Sequence, residues 1–207
     1  MKPENATKRK IRETALALFA EKSFEAVTLN EICKASGVNK HSFYYYFKSK
    51  DDILDKFYEI PCQLEPADLE RILAADTYVE QLWLLMKNGI EYADRYGVSI
   101  IRQIFIKNLT SDVGTFMLSE KQKEMLRLQQ SIIEKGKACG QFQSNLDSKM
   151  LMILLRQSIH SLLLAWCIKN GSFSFPKACR FFYETLFQVP ESLRTVKESP
   201  LPAHESA

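Results

Sequence analysis

Lys40, His41, Tyr44 and Tyr45 are residues whose types and spacing suit a definite chemistry. Wound as a helix from Lys40, His41 falls at about 100°, Tyr44 at about 40° and Tyr45 at about 140°, so the four share one arc. Phe43 and Phe47 fall at about 300° and 340° and, four residues apart, make a stripe to bury on the other side. A helix carrying such an arc fits the major groove of B-DNA, where lysine donates to guanine O6 or N7 and aromatic edges meet a thymine methyl. Tyrosine hydroxyls also reach phosphates, which positions a helix without reading sequence. The run Tyr44, Tyr45, Tyr46 covers nearly a full turn, so the three cannot all face a core.

The elements that must hold this arc are marked locally. Thr28 and Glu31 form a T-x-x-E capping box, which starts a helix at Thr28. Leu29, Ile32 and Cys33 give that helix an apolar side, and Gly37 follows where a left-handed residue closes it without a Cβ penalty. Asn39 caps the second helix. Ser49 and Asp52 then make an S-x-x-D start signal with Lys50 in the first turn of a third helix, a place where amide donors and an ammonium suit a phosphate. Pro61 should end that linking helix, which spans 49–60.

Ala26 to Leu54 resembles the DNA-binding domain of the TetR/AcrR family of bacterial transcription regulators, with its helix, turn, recognition helix and Y-x-Y-F-x-x-K run. Lys8 to Thr28 is similar to the family's first helix, with Ile11, Ala15, Leu18 and Phe19 as its apolar face. The resemblance implies phosphate contacts at Thr28, Tyr44 or Tyr45, Tyr46 and Lys50, and base-edge contacts near Asn30, Lys40, His41 and Ser42. Three positions depart from the family pattern. Ser23 stands where Gly is common, Cys33 where a small residue such as Ala is common, and His41 where Gly or Pro is common, which bears on the operator that is read.

The charge is distributed to match. The net charge is +3 over 207 residues, but residues 1–50 hold ten Lys/Arg against five Asp/Glu, a surplus of +5 that leaves −2 for the rest. The basic end is the DNA end. Few Gly and Pro and a sustained 3.6-residue period predict an all-α chain, with a three-helix helix-turn-helix domain over 1–60, a helical body over 61–189 and a disordered tail over 190–207; the resemblance implies that the body is an effector-binding and dimerisation domain. The helices of the second domain are expected at 66–74, 77–96, 98–109, 119–139, 147–170 and 175–188.

Five widely spaced cysteines without a C-x-x-C pair argue against a disulfide framework or zinc site and for reduced cytoplasmic helices, with a redox-sensing cysteine as the minor alternative. The three histidines are too scattered for a metal motif, and no cofactor is implied. The most apolar segment, Met150 to Ile168, is interrupted by Arg156, Gln157 and His160, so no membrane span is expected. The enzyme motifs G-x-S-x-G and H-E-x-x-H and the glycine-rich phosphate loops are absent, which sets an enzyme aside.

Two further sites follow. Ile159, Leu162, Leu163, Trp166, Phe181, Phe182 and Leu186 give two helices apolar on more than one face, which fits either a central position in a monomer or a second surface. The turn Gly136 to Asp147 and these helices resemble the family's dimerisation bundle, implying a homodimer on a palindromic operator. Trp83, Met86, Ile90, Ile101, Phe105 and Met125 form stripes that either fill a core or line an effector pocket, with Tyr92, Arg102 and Gln103 to orient a small apolar or amphipathic ligand. The expected function is a homodimeric repressor released by that ligand. An activator or coactivator of the same fold, or an interaction protein that has lost operator binding, remains the alternative.

Overall fold

The computed structural model describes residues 5–58, 66–110 and 120–201. Their order is α1 (Ala6–Lys22), α2 (Leu29–Ser36), α3 (Lys40–Tyr46), a 3-10 turn (Asp51–Tyr58), α4 (Pro66–Ala74), α5 (Tyr78–Thr110), α6 (Glu120–Ala138), α7 (Ser148–Ile168), α8 (Phe175–Leu186) and a second 3-10 turn (Glu191–Leu193). There is no strand among the described residues, and the all-α expectation holds. They fall into two compact units, one from the described residues of Met1–Ile60 and Arg95–Thr115, the other from those of Pro61–Asp94 and Phe116–Ala207.

In the first unit, the Asn5 side chain caps α1 by accepting from the Thr7 and Lys8 amides at 2.9 and 3.4 Å. The buried stripe is Ile11, Ala15, Leu16 and Phe19, so Leu16 takes the place expected for Leu18, which is half-buried. Phe24 packs edge-on to Phe19, and Ile32, Phe43, Phe47, Ile53 and Leu54 complete this apolar interior. The helix expected from Ser49 is instead a 3-10 turn, whose first rung is the i→i−3 bond from the Ile53 amide to the Lys50 carbonyl. Its expected stop at Pro61 lies outside the described residues.

The helices expected at 77–96 and 98–109 are the two halves of α5, which meet at a kink at Gly97, whose φ of 76° and ψ of 170° are non-helical. The break is where glycine's freedom is needed. Residues 95–110 belong to the first unit.

The second unit packs Val79, Leu82 and Leu85 of α5 with Ile132 and Ile133 of α6, Leu151 and Leu155 of α7, Tyr183 of α8 and Phe187 just past its end. Gly136 on α6 lets the Phe142 ring lie against the helix, since a Cβ there would sit 2.4 Å from two ring atoms. Asp147 caps α7 by accepting from the Met150 amide at 2.9 Å. At the other end of α7, the Trp166 indole donates to the Phe173 carbonyl at 3.1 Å.

Arg180 and Glu184, one helical turn apart on α8, are buried as an ion pair, and Arg180 also pairs with Glu80. The guanidinium lies 5.0 Å from the Trp83 ring centroid. Burial opposes the Arg180 charge, but the hydrogen bonds to Glu80 and Glu184 outweigh it and raise its pKa. Glu184 further accepts from the amides of Thr195 and Val196 at 2.9 and 3.1 Å, and Arg180 from α8 donates to the Thr195 hydroxyl at 3.0 Å. This corrects the expected frayed tail over its first part. Buried charges need donors and partners, and residues 190–196 supply them.

Candidate nucleic-acid interface

The reading elements form because their ends are satisfied within a few residues. Thr28 accepts from the Glu31 amide at 3.3 Å, while the Glu31 carboxylate accepts from the Thr28 amide and hydroxyl, both at 2.8 Å. The Thr28 amide, then Lys22, whose ammonium is 3.0 Å away, and the Thr28 hydroxyl hold the Glu31 carboxyl down to about 2. Gly37 closes α2 at φ 70°, ψ 29°, and the Val38 amide returns to the Cys33 carbonyl at 3.0 Å. Asn39 accepts from the Ser42 amide at 2.8 Å and so starts α3.

Phe43 and Phe47 are buried with ring centroids 5.6 Å apart, and that anchor turns the opposite arc outward. Lys40 and His41 are exposed, Tyr44 is 55% exposed and Tyr45 78%. Large aromatic side chains left this open want a partner with flat, polar-edged surface. Tyr46 is half-buried and meets Tyr45 edge-on at 4.8 Å; Ser42 is half-buried and Asn30 exposed. The structure therefore brings Lys40, His41, Tyr44 and Tyr45 onto one outward face of α3.

Two residues carried over from the resemblance stand differently. The Thr28 hydroxyl hydrogen is already donated to Glu31. Lys50 does not project from a helix start: its ammonium donates to the carbonyls of Phe24 and Val27 at 2.6 and 2.9 Å and lies 4.3 Å from the Phe24 ring centroid. Two of its three N–H donors are committed inside the unit. Other cations of the basic end sort the same way: Arg9 faces Glu13 and Lys22 faces Glu31, while Lys8 sits 5.3 Å over the Phe47 ring and Lys10 lies by Gly37.

Phe24, Glu25 and Ser99, which composition and spacing did not single out, also shape this unit, together with Gln103. The Phe24 amide donates to the Ser99 hydroxyl at 2.8 Å, Ser99 donates to Glu25 at 3.3 Å, and the Gln103 amide donates to Glu25 at 2.6 Å. Burial opposes the Glu25 charge, but hydrogen bonds from its own backbone, Ser23, Gln103 and Ser99 lower its pKa. Ser99 and Gln103 share a helical face by their i, i+4 spacing, which was the available signal.

The residues expected to line an effector pocket divide between the units. Ile101, Arg102, Gln103 and Phe105 belong to the first, where Ile101 is buried and Gln103 is engaged with Glu25. Trp83, Met86, Ile90, Tyr92 and Met125 belong to the second; Trp83, Met86 and Met125 pack against its core and Ile90 is buried. A cleft of about 230 Å³ in the first unit has Gln103 in its lining, with Asp51, Leu54, Ile106, Lys107 and Thr110.

Of the expected dimer residues, Leu162 and Trp166 are buried within the chain itself, whereas Ile159, Leu163, Phe181, Phe182 and Leu186 are half-buried. The apolar groups that α7 leaves exposed are Met150, Ile153, Leu154, Leu164 and Ile168, the last at 71%.

A capped helix, a left-handed glycine turn and a second helix with an outward basic and aromatic face define a helix-turn-helix transcriptional regulator. Residues 11–57 match the model of the bacterial regulatory proteins of the tetR family, and residues 67–189 match that of the YsiA-like protein C-terminal region. The chain belongs to the TetR family, whose members are regulators of transcription and not enzymes. It is 25% identical to the transcriptional repressor KstR2 of Rhodococcus jostii over 171 residues, 82% of this chain and 83% of that one. It is 23% identical to the fatty acid metabolism regulator protein of Bacillus subtilis over 175 residues, 84% of this chain and 90% of that one. Among solved structures, FadR of Thermus thermophilus, a repressor in complex with lauroyl-CoA, shares the fold with a TM-score of 0.57 at 20% identity, covering 94% of this chain and 98% of that one.

Proposed function

We propose that this regulator is a homodimeric repressor that reads a palindromic operator through α2 and α3 and is released by a fatty acyl-CoA thioester. The observation that carries the DNA reading is the outward face of α3, where Lys40, His41, Tyr44 and Tyr45 stand exposed over the buried Phe43 and Phe47 anchor. Lys40 and His41 are assigned to base edges and Tyr44 and Tyr45 to phosphates and thymine methyls.

The dimer is supported by the exposed apolar groups of α7. Met150, Ile153, Leu154, Leu164 and Ile168 recur at helical spacing, and a second copy is the partner that removes them from water. By length and composition alone α7 would also suit a membrane span, but Arg156, Gln157 and His160 interrupt it. A twofold dimer predicts half-sites about one helical turn of DNA apart.

The effector class is taken from proteins of the same fold: Thermus thermophilus FadR is solved in complex with lauroyl-CoA and Bacillus subtilis FadR in complex with stearoyl-CoA. A ligand shifts a regulator only by its differential affinity for two arrangements, so release requires tighter binding to the DNA-free form.

The test is selection of duplexes from a random pool, followed by titration of the complex with lauroyl-CoA, stearoyl-CoA, free laurate and coenzyme A. A palindrome released by the thioesters alone is the expected result. Enrichment without release would remove the effector assignment, and the absence of enrichment with only weak salt-sensitive retention would remove the operator.

A further inference from the structure

The loop Ser23–Val27 is the covalent path from α1 to the Thr28 cap of α2, and side chains from far along the chain close on it. Ser99 and Gln103, beyond the Gly97 break, reach its Phe24 amide and its Glu25 carboxylate; Lys50 takes its Phe24 and Val27 carbonyls. All of these groups lie in the first unit. The loop opens on Ser23 at φ 81° and ψ 155°, a conformation that residues other than glycine hold only where their surroundings over-determine it. Here those surroundings are the partners just named.

Any shift of Phe24–Val27 carries Thr28 with it, and the Thr28 amide and hydroxyl are the capping box of α2. The helix α2 in turn packs on α1 and on α3. Ser99 and Gln103 occupy one face of α5, so turning that segment by a single residue step, about 100°, would break both contacts together.

We propose that Glu25, Ser99 and Gln103 are positioning residues for operator binding: they hold the loop, and through the Thr28 cap the reading pair α2–α3, in the arrangement that meets DNA. This rests on the DNA reading proposed above. Lys50 is the short-range support of the same loop, and the α5 segment Val98–Thr110 is the support that a change in α5 can withdraw. Regulation then acts by releasing a carboxylate, Glu25, from its two donors on α5.

The test uses the full chain, with Ser99→Ala, the double variant Ser99→Ala with Gln103→Leu, Glu25→Ala and the conservative Glu25→Gln. Two readouts are taken: affinity for the selected operator by fluorescence anisotropy, and hydrogen exchange of the amides from Phe24 to Tyr46. The double variant removes three hydrogen bonds, two of them exposed, and is expected to weaken operator binding about tenfold, with unchanged half-site preference. Exchange at Phe24 and along Leu29–Ser36 rises several-fold while the fluorescence melt of Trp83 and Trp166, both in the second unit, stays in place. Glu25→Gln retains an acceptor oxygen and recovers most of the affinity that Glu25→Ala loses. Ser99→Ala alone removes the acceptor of the Phe24 amide and one donor to Glu25 without adding bulk, so its exchange pattern reads the joint even where the double variant unfolds. Unchanged exchange and unchanged affinity in Ser99→Ala and the double variant overturn the proposal. Were the parent chain to bind no duplex, the operator reading would fall, while the exchange arm would still decide the joint: faster exchange supports it and unchanged exchange sinks it.

Discussion

Replacing Lys50 by Met keeps the aliphatic stem over Phe24 and removes the ammonium that donates to the Phe24 and Val27 carbonyls at 2.6 and 2.9 Å. A hydrogen bond from a charged donor contributes about 1.5–3 kcal/mol net when buried. Lys50 is only half-buried and its charge is partly screened by solvent, so about 1 kcal/mol for each bond is the appropriate scale. The cation–π contact at 4.3 Å adds about 0.5 kcal/mol at such a site. The first unit should therefore lose about 2–3 kcal/mol. With a urea dependence of about 1–1.5 kcal/mol/M for a unit of this size, its midpoint falls by about 2 M. Circular dichroism follows the helices of both units, and fluorescence of Trp83 and Trp166 follows the second alone, so a loss confined to the dichroism transition is the expected pattern. A Lys50→Met chain whose midpoint does not move, while its binding to every duplex weakens and the salt slope flattens by about one unit, would refute the reasoning. That result would return the ammonium to a DNA phosphate.

Ser23→Gly relieves a strain of about 1–3 kcal/mol against an added chain entropy of about 0.5–1 kcal/mol and the loss of the hydroxyl's bonds to Glu25 and the Ala26 amide; Ser23→Ala loses the same bonds and keeps the strain, so Ser23→Gly should melt above it, and equal melts would discount the strain. Gly136→Ala would place a Cβ 2.4 Å from the Phe142 ring and 3.2 Å from the Tyr78 Cβ. The helix gains about 1 kcal/mol from alanine and overpacking costs about 1–3 kcal/mol, so the tryptophan-monitored melt of the second unit should fall; a rise would mean the ring swings aside. Glu31 is held down to about 2, below its unfolded value of 4.5, by the Thr28 amide, Lys22 and the Thr28 hydroxyl. Its contribution is therefore complete above the unfolded value and is lost as pH falls from there through the folded one. Glu31→Gln should flatten that acid limb of stability and leave the alkaline limb unaltered; parallel acid limbs in the two chains would discount the box.

The reading head was legible because its determinants are local. Thr28 with Glu31, Asn39 with Ser42, and Gly37 after Ser36 each act within four residues, and Phe43 with Phe47 fixes which side of α3 turns inward. Lys50 was not, since the carbonyls it serves lie 26 and 23 residues upstream. Gln103 is the same case: a polar group on an amphipathic helix must be satisfied, but its spacing does not say that Glu25, 78 residues away, satisfies it. On α7 the apolar residues run nearly all round, so periodicity could not choose between stripes; the fold buries Leu151, Leu155, Leu162 and Trp166 and leaves Ile153, Leu164 and Ile168 outside. The stretch after Pro190 reads as polar and proline-rich, yet the buried Glu184 required donors that only three-dimensional proximity reveals.

The Arg180–Glu184 pair has a consequence for how the second unit opens. Two of the donors to the buried Glu184 carboxylate are the amides of Thr195 and Val196, so lifting residues 190–196 strips a buried charge of two hydrogen bonds. That stretch and α8 should therefore open together, as one cooperative step in hydrogen exchange, rather than the stretch fraying alone.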